Sequence, residues 1–269
     1  MKSLYLPEWN AFIRYFDISG DGETIIYLPA LCFPAVVNFL SVATHPKMPK
    51  HRAILVDNLG SGSSDHSENF NYSMEDHART VARILDHEGI KDATVVGHSM
   101  GGTIAIMLAL SRPDLVSKLV VGEGNITPGG GEATRNIAPY SKTEYVEQVF
   151  PRSRKEWFQA AIEGDAMGIL LSSVWSTANA ASLHGNSKAL VEIDPSFKEQ
   201  FLELSILRTF IYGEKSLPEN TGGAGADAPE PSELEAHGIQ IGVVPNAGHL
   251  QMIENLDGFV DVLTNAIKV

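Results

Sequence analysis

The stretch Ala93-Thr94-Val95-Val96-Gly97-His98-Ser99-Met100-Gly101 decides the fold. Its first four residues are a short apolar run, β-branched at three positions, of the kind that forms a strand buried on both faces. Gly97 to Gly101 spell the pattern G-x-S-x-G, and residues 100–111 continue as an apolar helix former. Strand, sharp turn and helix in that order leave the serine hydroxyl at the carboxyl edge of a sheet. The small residues two before and two after it let strand and helix approach closely. Ser99 is therefore the candidate nucleophile, and the following helix start offers backbone N–H groups where negative charge would develop.

Outward from this point the chain alternates strand and helix patterns. Residues 51–57 hold Ala53-Ile54-Leu55-Val56, another buried strand, followed by the loop Asn58-Leu59-Gly60-Ser61-Gly62-Ser63-Ser64. A helix then starts at Ser73, a good N-cap, with Glu75 and Asp76 in its first turn and Gly89 past its end. Met74, Ala78, Val81 and Leu85 recur at helical spacing along it. A further strand is read at 118–122, and others at 202–212 and 239–244. Such alternation predicts a mostly parallel sheet with helices on its faces. Nearer the N-terminus, residues 11–17 and 23–28 flank Gly20-Asp21-Gly22, which reads as a β-hairpin. The last helix carries Met252, Leu256, Phe259, Leu263 and Ile267 on one face.

Residues 126–205 break this rhythm with short helical patterns and no convincing strand. The expected organisation is a core of residues 1–125 and 206–269 with a helical cap or lid of residues 126–205. Thr127-Pro128-Gly129-Gly130-Gly131-Glu132 lacks a Lys-Ser/Thr ending and opens no clear helix, so a phosphate cradle is not expected there. In the cap, Trp157, Phe158, Met167, Ile169, Leu170, Leu171, Val174 and Trp175 read chiefly as packing, with some facing a cleft.

Composition narrows the function classes. The chain has 269 residues, 20 Lys+Arg against 33 Asp+Glu, and a net charge of −13. So acidic a surface argues against partners carrying phosphate backbones or anionic lipid, so neither nucleic acid nor a membrane is expected. A single cysteine, Cys32, leaves no disulfide framework and no cysteine-based metal site. No metal or cofactor is expected, and the oligomeric state is open. With no apolar run of eighteen residues and no secretion-like start, the expectation is a soluble, cytoplasmic protein.

On these residues the chain resembles the α/β-hydrolase family. Besides the elbow around Ser99, Asp57-Asn58-Leu59-Gly60-Ser61-Gly62-Ser63-Ser64-Asp65 is similar to that family's D-x-x-G-x-G-x-S-D loop after the fourth strand. Asn246-Ala247-Gly248-His249 before the last helix is similar to its catalytic-histidine loop. The resemblance implies the α/β-hydrolase fold, a cap between the sixth and seventh strands, and His249 as general base. A serine hydroxyl is a weak nucleophile and needs an imidazole to take its proton and later return it. His98 reads as packing or hydrogen bonding, and the other histidines as solvated or structural. Asp57 reads as a turn residue and Cys32 as a packed small hydrophobe.

The acid departs from the family's usual pattern. The segment resembling W-G-x-x-D is Tyr212-Gly213-Glu214-Lys215-Ser216, with Ser216 where the carboxylate belongs. Glu123 ends the run Leu119-Val120-Val121-Gly122 at the same sheet edge as Ser99, a position from which some members of the family supply the acid. It is the leading candidate, with Glu214, Glu219 and Asp227 as alternatives. The oxyanion donors implied are the Met100 N–H and, with Pro29-Ala30 in place of the family's His-Gly, the Leu31 N–H. The expected activity is cleavage of a carboxylic ester of a small to medium apolar substrate through an acyl-enzyme. Lactonase, carbon–carbon bond hydrolase, perhydrolase and acyltransferase chemistry use the same triad. A small-ligand receptor on this fold is the reading of another class.

Overall fold

The computed structural model describes residues 1–221 and 228–268. Eight strands, β1 (Lys2–Leu6), β2 (Ala11–Ile18), β3 (Thr24–Leu28), β4 (Arg52–Asp57), β5 (Ala93–His98), β6 (Val116–Gly122), β7 (Leu207–Gly213) and β8 (Gln240–Val244), form one sheet in the order β1-β2-β4-β3-β5-β6-β7-β8. β1 and β2 pair antiparallel with their neighbours, and β4 through β8 run parallel.

The period of two in the central strands sorts their side chains onto two cores. Ile26, Leu28, Val95, Leu119, Val121, Phe210 and Tyr212 face one core together with the helices α2 (Met74–Glu88) and α3 (Met100–Ser111). Their chain neighbours Ile25, Tyr27, Val96, Val120 and Ile211 face the other, with α1 (Ala35–Ala43) and the C-terminal helix. Both faces are covered, which is why these strands read as continuous apolar runs. Each such side chain removed from water stabilises the fold by about 1.5–3 kcal/mol.

The α2 signals hold in detail. Ser73 Oγ accepts the Asp76 N–H at 3.1 Å, and Gly89 closes the helix in the left-handed region at φ 66°. The hairpin reading of residues 11–28 does not hold. β2 and β3 do not pair; β4 lies between them, antiparallel to β2 and parallel to β3. The glycines of that turn serve a close approach instead: a Cβ on Gly20 would stand 1.9 Å from the His51 carbonyl oxygen.

Between β6 and β7 the chain runs through α4 (Glu132–Ile137), α5 (Lys142–Glu144), a π-helical turn at Tyr145–Val149, α6 (Phe150–Ile162), α7 (Ala166–Ser176), α8 (Ala180–Val191) and α9 (Phe197–Glu203). The glycine run before α4 does open a helix, a short one with Gly131 at its N-cap. Polar ties fasten α8 to its surroundings: Asn186 Oδ1 to His77 Nε2 of α2 at 2.8 Å, and Ser182 Oγ to His66 Nδ1 at 2.9 Å. After β7 come α10 (Pro231–Ala236) and then, in place of one last helix, α11 (Gln251–Glu254) and α12 (Leu256–Ile267). Asn255 breaks them apart at φ −148° and caps the second through the Gly258 N–H.

Because β3 and β5–β8 run the same way, the loops after their carboxyl ends gather on one edge. Ser99, Glu123, the Leu31 loop and the His249 loop all leave the sheet there.

Candidate active site

Ser99 sits at φ 53°, ψ −122°, outside the regions an L-residue prefers, and N-caps α3 without a side-chain cap bond. Its N–H donates to the Gly122 carbonyl at 2.8 Å. A Cβ on Gly97 would lie 2.2 Å from the Gly101 oxygen, and one on Gly101 would lie 2.0 Å from the Leu28 oxygen. The turn therefore tolerates no side chain at either glycine without moving backbone. The serine hydroxyl opens into a cavity of about 490 Å³ that Glu123 and His249 also line.

Glu123 follows β6 in the left-handed region at φ 46°. Its N–H donates to the Ile211 carbonyl at 3.1 Å, which stitches the turn to β7. The side chain is 8% exposed. Oε2 accepts from His249 Nδ1 at 2.7 Å, and Oε1 accepts from the Gly213 N–H at 2.7 Å and Gln251 Nε2 at 3.0 Å. Burial pushes this carboxyl up, but the His249 hydrogen bond and charge, with the Gly213 and Gln251 donors, outweigh it and hold the group below the usual carboxylate range. It is the anion of the cluster.

With Nδ1 donating to Glu123, the neutral His249 ring carries its lone pair on Nε2. The His249 carbonyl accepts from His98 Nε2 at 2.8 Å. His98 Nδ1 in turn faces the Asn38 side-chain amide at 3.3 Å, and Asn38 Oδ1 accepts the Ala30 N–H at 2.8 Å. His98 is fully buried, and burial together with the neighbouring His249 pushes its proton affinity down, so it stays neutral. This relay links the loop at Ala30, the turn at Ser99 and the His249 loop. It also commits the Ala30 N–H, and the next amide along is that of Leu31, which lines the cavity. Met100 stands first in α3, directly after the serine.

Glu214 is exposed and accepts the Asn246 N–H at 2.7 Å, and Glu219 is exposed; neither reaches the imidazole. Asp227 lies outside the described residues. Asp57 is buried and accepts the Ala35 N–H at 2.7 Å and the Ser63 N–H at 2.8 Å, which makes it a loop brace. Cys32 lines the cavity, and burial pushes its thiol up to about 12. Of the eight aromatic, aliphatic and methionine residues singled out between β6 and β7, Trp157, Leu171 and Trp175 line the cavity, Val174 is buried and Leu170 packs part-buried beside them. Phe158, Met167 and Ile169 face solvent, so neither packing nor lining describes them. Sequence reading missed Gln251, Asn38 and the Gly213 N–H. Among the described residues no cluster of His, Cys, Asp and Glu could hold a metal ion, and no helix is long and apolar enough to cross a membrane.

A profile of the alpha/beta hydrolase fold matches residues 27–199. The chain belongs to the α/β-hydrolase family. As a hydrolase of that family it is 28% identical over 271 residues to the sn-1-specific diacylglycerol lipase ABHD11 of Mus musculus, covering 94% of this chain and 84% of the lipase. Two solved structures share the fold end to end. The enol-lactonase from Burkholderia xenovorans LB400 superposes with a TM-score of 0.76 at 17% identity, covering 100% of both chains. The thermophilic esterase from Thermogutta terrifontis gives 0.75 at 17% identity, covering 100% of this chain and 98% of the esterase.

Proposed function

We propose that the chain is a serine esterase that cleaves a carboxylic ester of small to medium apolar character through an acyl-enzyme. The observation that carries this reading is the 2.7 Å contact between His249 Nδ1 and Glu123 Oε2 in the cavity into which Ser99 opens. His249 Nε2 takes the Ser99 proton as Oγ attacks the carbonyl carbon. The resulting oxyanion is held by the N–H groups of Met100 and Leu31. The carbonyl re-forms, the alcohol leaves with the proton from His249, and water repeats the sequence to release the acid. Glu123 fixes the imidazole tautomer and stabilises its charge when protonated.

The helices from α4 to α9 act as the cap that roofs the cavity and supplies its apolar wall. A volume of about 490 Å³ falls in the range of small-molecule sites, and most of the lining is apolar. Likeness to a lipase acting on diacylglycerol supports ester chemistry. The test uses a fluorophosphonate, which reports serine nucleophilicity without knowledge of the substrate. Labelling should map to Ser99 and vanish in Ser99→Ala. An unlabelled wild type, or a label elsewhere, overturns the mechanism. A receptor that never used the serine would keep ligand binding and output in Ser99→Ala, whereas the esterase keeps binding and loses turnover.

A further inference from the structure

Gln251, the first residue of α11, is fully buried two positions after His249. Its Nε2 donates to Glu123 Oε1 at 3.0 Å and to the Ile211 carbonyl at 3.0 Å. That same carbonyl accepts the Glu123 N–H, so one side chain grips both the carboxylate and the backbone group that anchors its turn. The amide cannot sit the other way round, because its oxygen would then face two acceptors. The cost of the observed orientation is visible: Gln251 Oε1 is buried without a hydrogen-bond partner. A methionine of similar shape would fill this space with no orphaned acceptor, so packing alone does not account for a glutamine.

We infer that Gln251 is a positioning residue of the site, whose amide locks the Glu123 carboxylate in line with His249. The need follows from where the acid originates. A carboxylate leaving β6 must cross the end of β7 to reach the base, and a glutamate has three side-chain torsions to fix on the way. The Gly213 N–H and the Gln251 amide both bind Oε1, which leaves Oε2 as the oxygen presented to the imidazole. The inference rests on the esterase reading, with Glu123 as the acid.

The test measures the second-order rate at which a fluorophosphonate labels Ser99 in the full chain. Wild type, Gln251→Met, Glu123→Ala and the double variant are compared, with thermal unfolding followed in parallel. Gln251→Met should label 10- to 100-fold more slowly than wild type. The double variant should match Glu123→Ala within about twofold, because a residue acting through the carboxylate has nothing to position once it is gone. Labelling of Gln251→Met within twofold of wild type overturns the inference, and so do losses that multiply in the double variant. Gln251→Asn covers the case in which the methionine variant fails to fold: it keeps an amide but draws it back by one methylene from Glu123 Oε1, so labelling should slow in the otherwise wild-type chain and not further in the Glu123→Ala background. Labelling that does not slow, or a loss that persists without the carboxylate, overturns the inference. A wild type that does not label brings down the esterase reading itself, an outcome distinct from either of these.

Discussion

Glu123 carries two burdens at once: a left-handed backbone at φ 46° and a nearly buried charge. Each is unfavourable for a glutamate, and strain of this kind costs on the order of 1–3 kcal/mol. Cys32, Ser99, Glu123 and Asn246 are four of the seven non-glycine residues with positive φ among the described residues; all four follow strand ends at the carboxyl edge, and the first three line the cavity. Backbone strain is thus concentrated where the side chains must converge. If Glu123 is the acid, Glu123→Gln removes the charge that stabilises the imidazolium, and kcat on a simple ester should fall on the order of 10³–10⁴-fold with KM little moved. Glu214 only holds the Asn246 N–H, so Glu214→Gln should keep kcat within about threefold. Steady-state kinetics on the two variants decide between the carboxylates, and the opposite ranking would move the acid to the β7 loop. Glu123 was open to a sequence argument because Ser216 left the usual position without a carboxylate. Gln251 was not, because nothing in the spacing of His249 and Gln251 reveals that the amide turns back towards β6.

Between elements, a buried polar tie joins α2 to α8. His77 is fully buried, with Nε2 on Asn186 and Nδ1 unpartnered among the described residues, and burial pushes its pKa down to about 4. The native state therefore prefers the neutral ring, while the unfolded chain protonates near the ordinary value. Stability is fully present above about pH 6.5 and is lost as pH falls towards 4, at up to about 1.4 kcal/mol per pH unit. Between pH 7 and pH 5 this group alone should remove about 2 kcal/mol. Urea unfolding at the two pH values should show that loss, and His77→Gln should flatten it while keeping an amide opposite Asn186. His98 acts in the same direction, so the slope shrinks without vanishing. An undiminished slope in His77→Gln would place the pH dependence elsewhere. Periodicity identified α2 down to its caps, yet could not show that a histidine on its buried face meets an asparagine 109 residues away. The missed strand order has the same origin: Gly20-Asp21-Gly22 is good local turn chemistry, and only the long-range insertion of β4 separates the strands it joins.

At the scale of the molecule, the parallel sheet was legible because both of its faces are covered, which writes strands as unbroken apolar runs. The edge strand β1 was not, since Lys2, Ser3 and Tyr5 are exposed and carry no such signature. The net charge of −13 gives the molecule a negative long-range field. Among the described cavity-lining residues Lys215 is the cation, and its ammonium lies 3.6 Å from the Glu254 carboxylate, so little positive field is left there. An anionic ester should therefore be repelled on approach, and salt should relieve the repulsion as the screening length falls from about 30 Å at 0.01 M to about 8 Å at 0.15 M. The expected result is a kcat/KM that rises several-fold with ionic strength for a substrate bearing a remote carboxylate, and stays flat for its neutral methyl-ester counterpart. The neutral substrate separates field effects from any general response of the enzyme to salt. If kcat/KM for the anionic ester falls with salt instead, a local positive field outweighs the global one, and Lys215→Met should then abolish the fall.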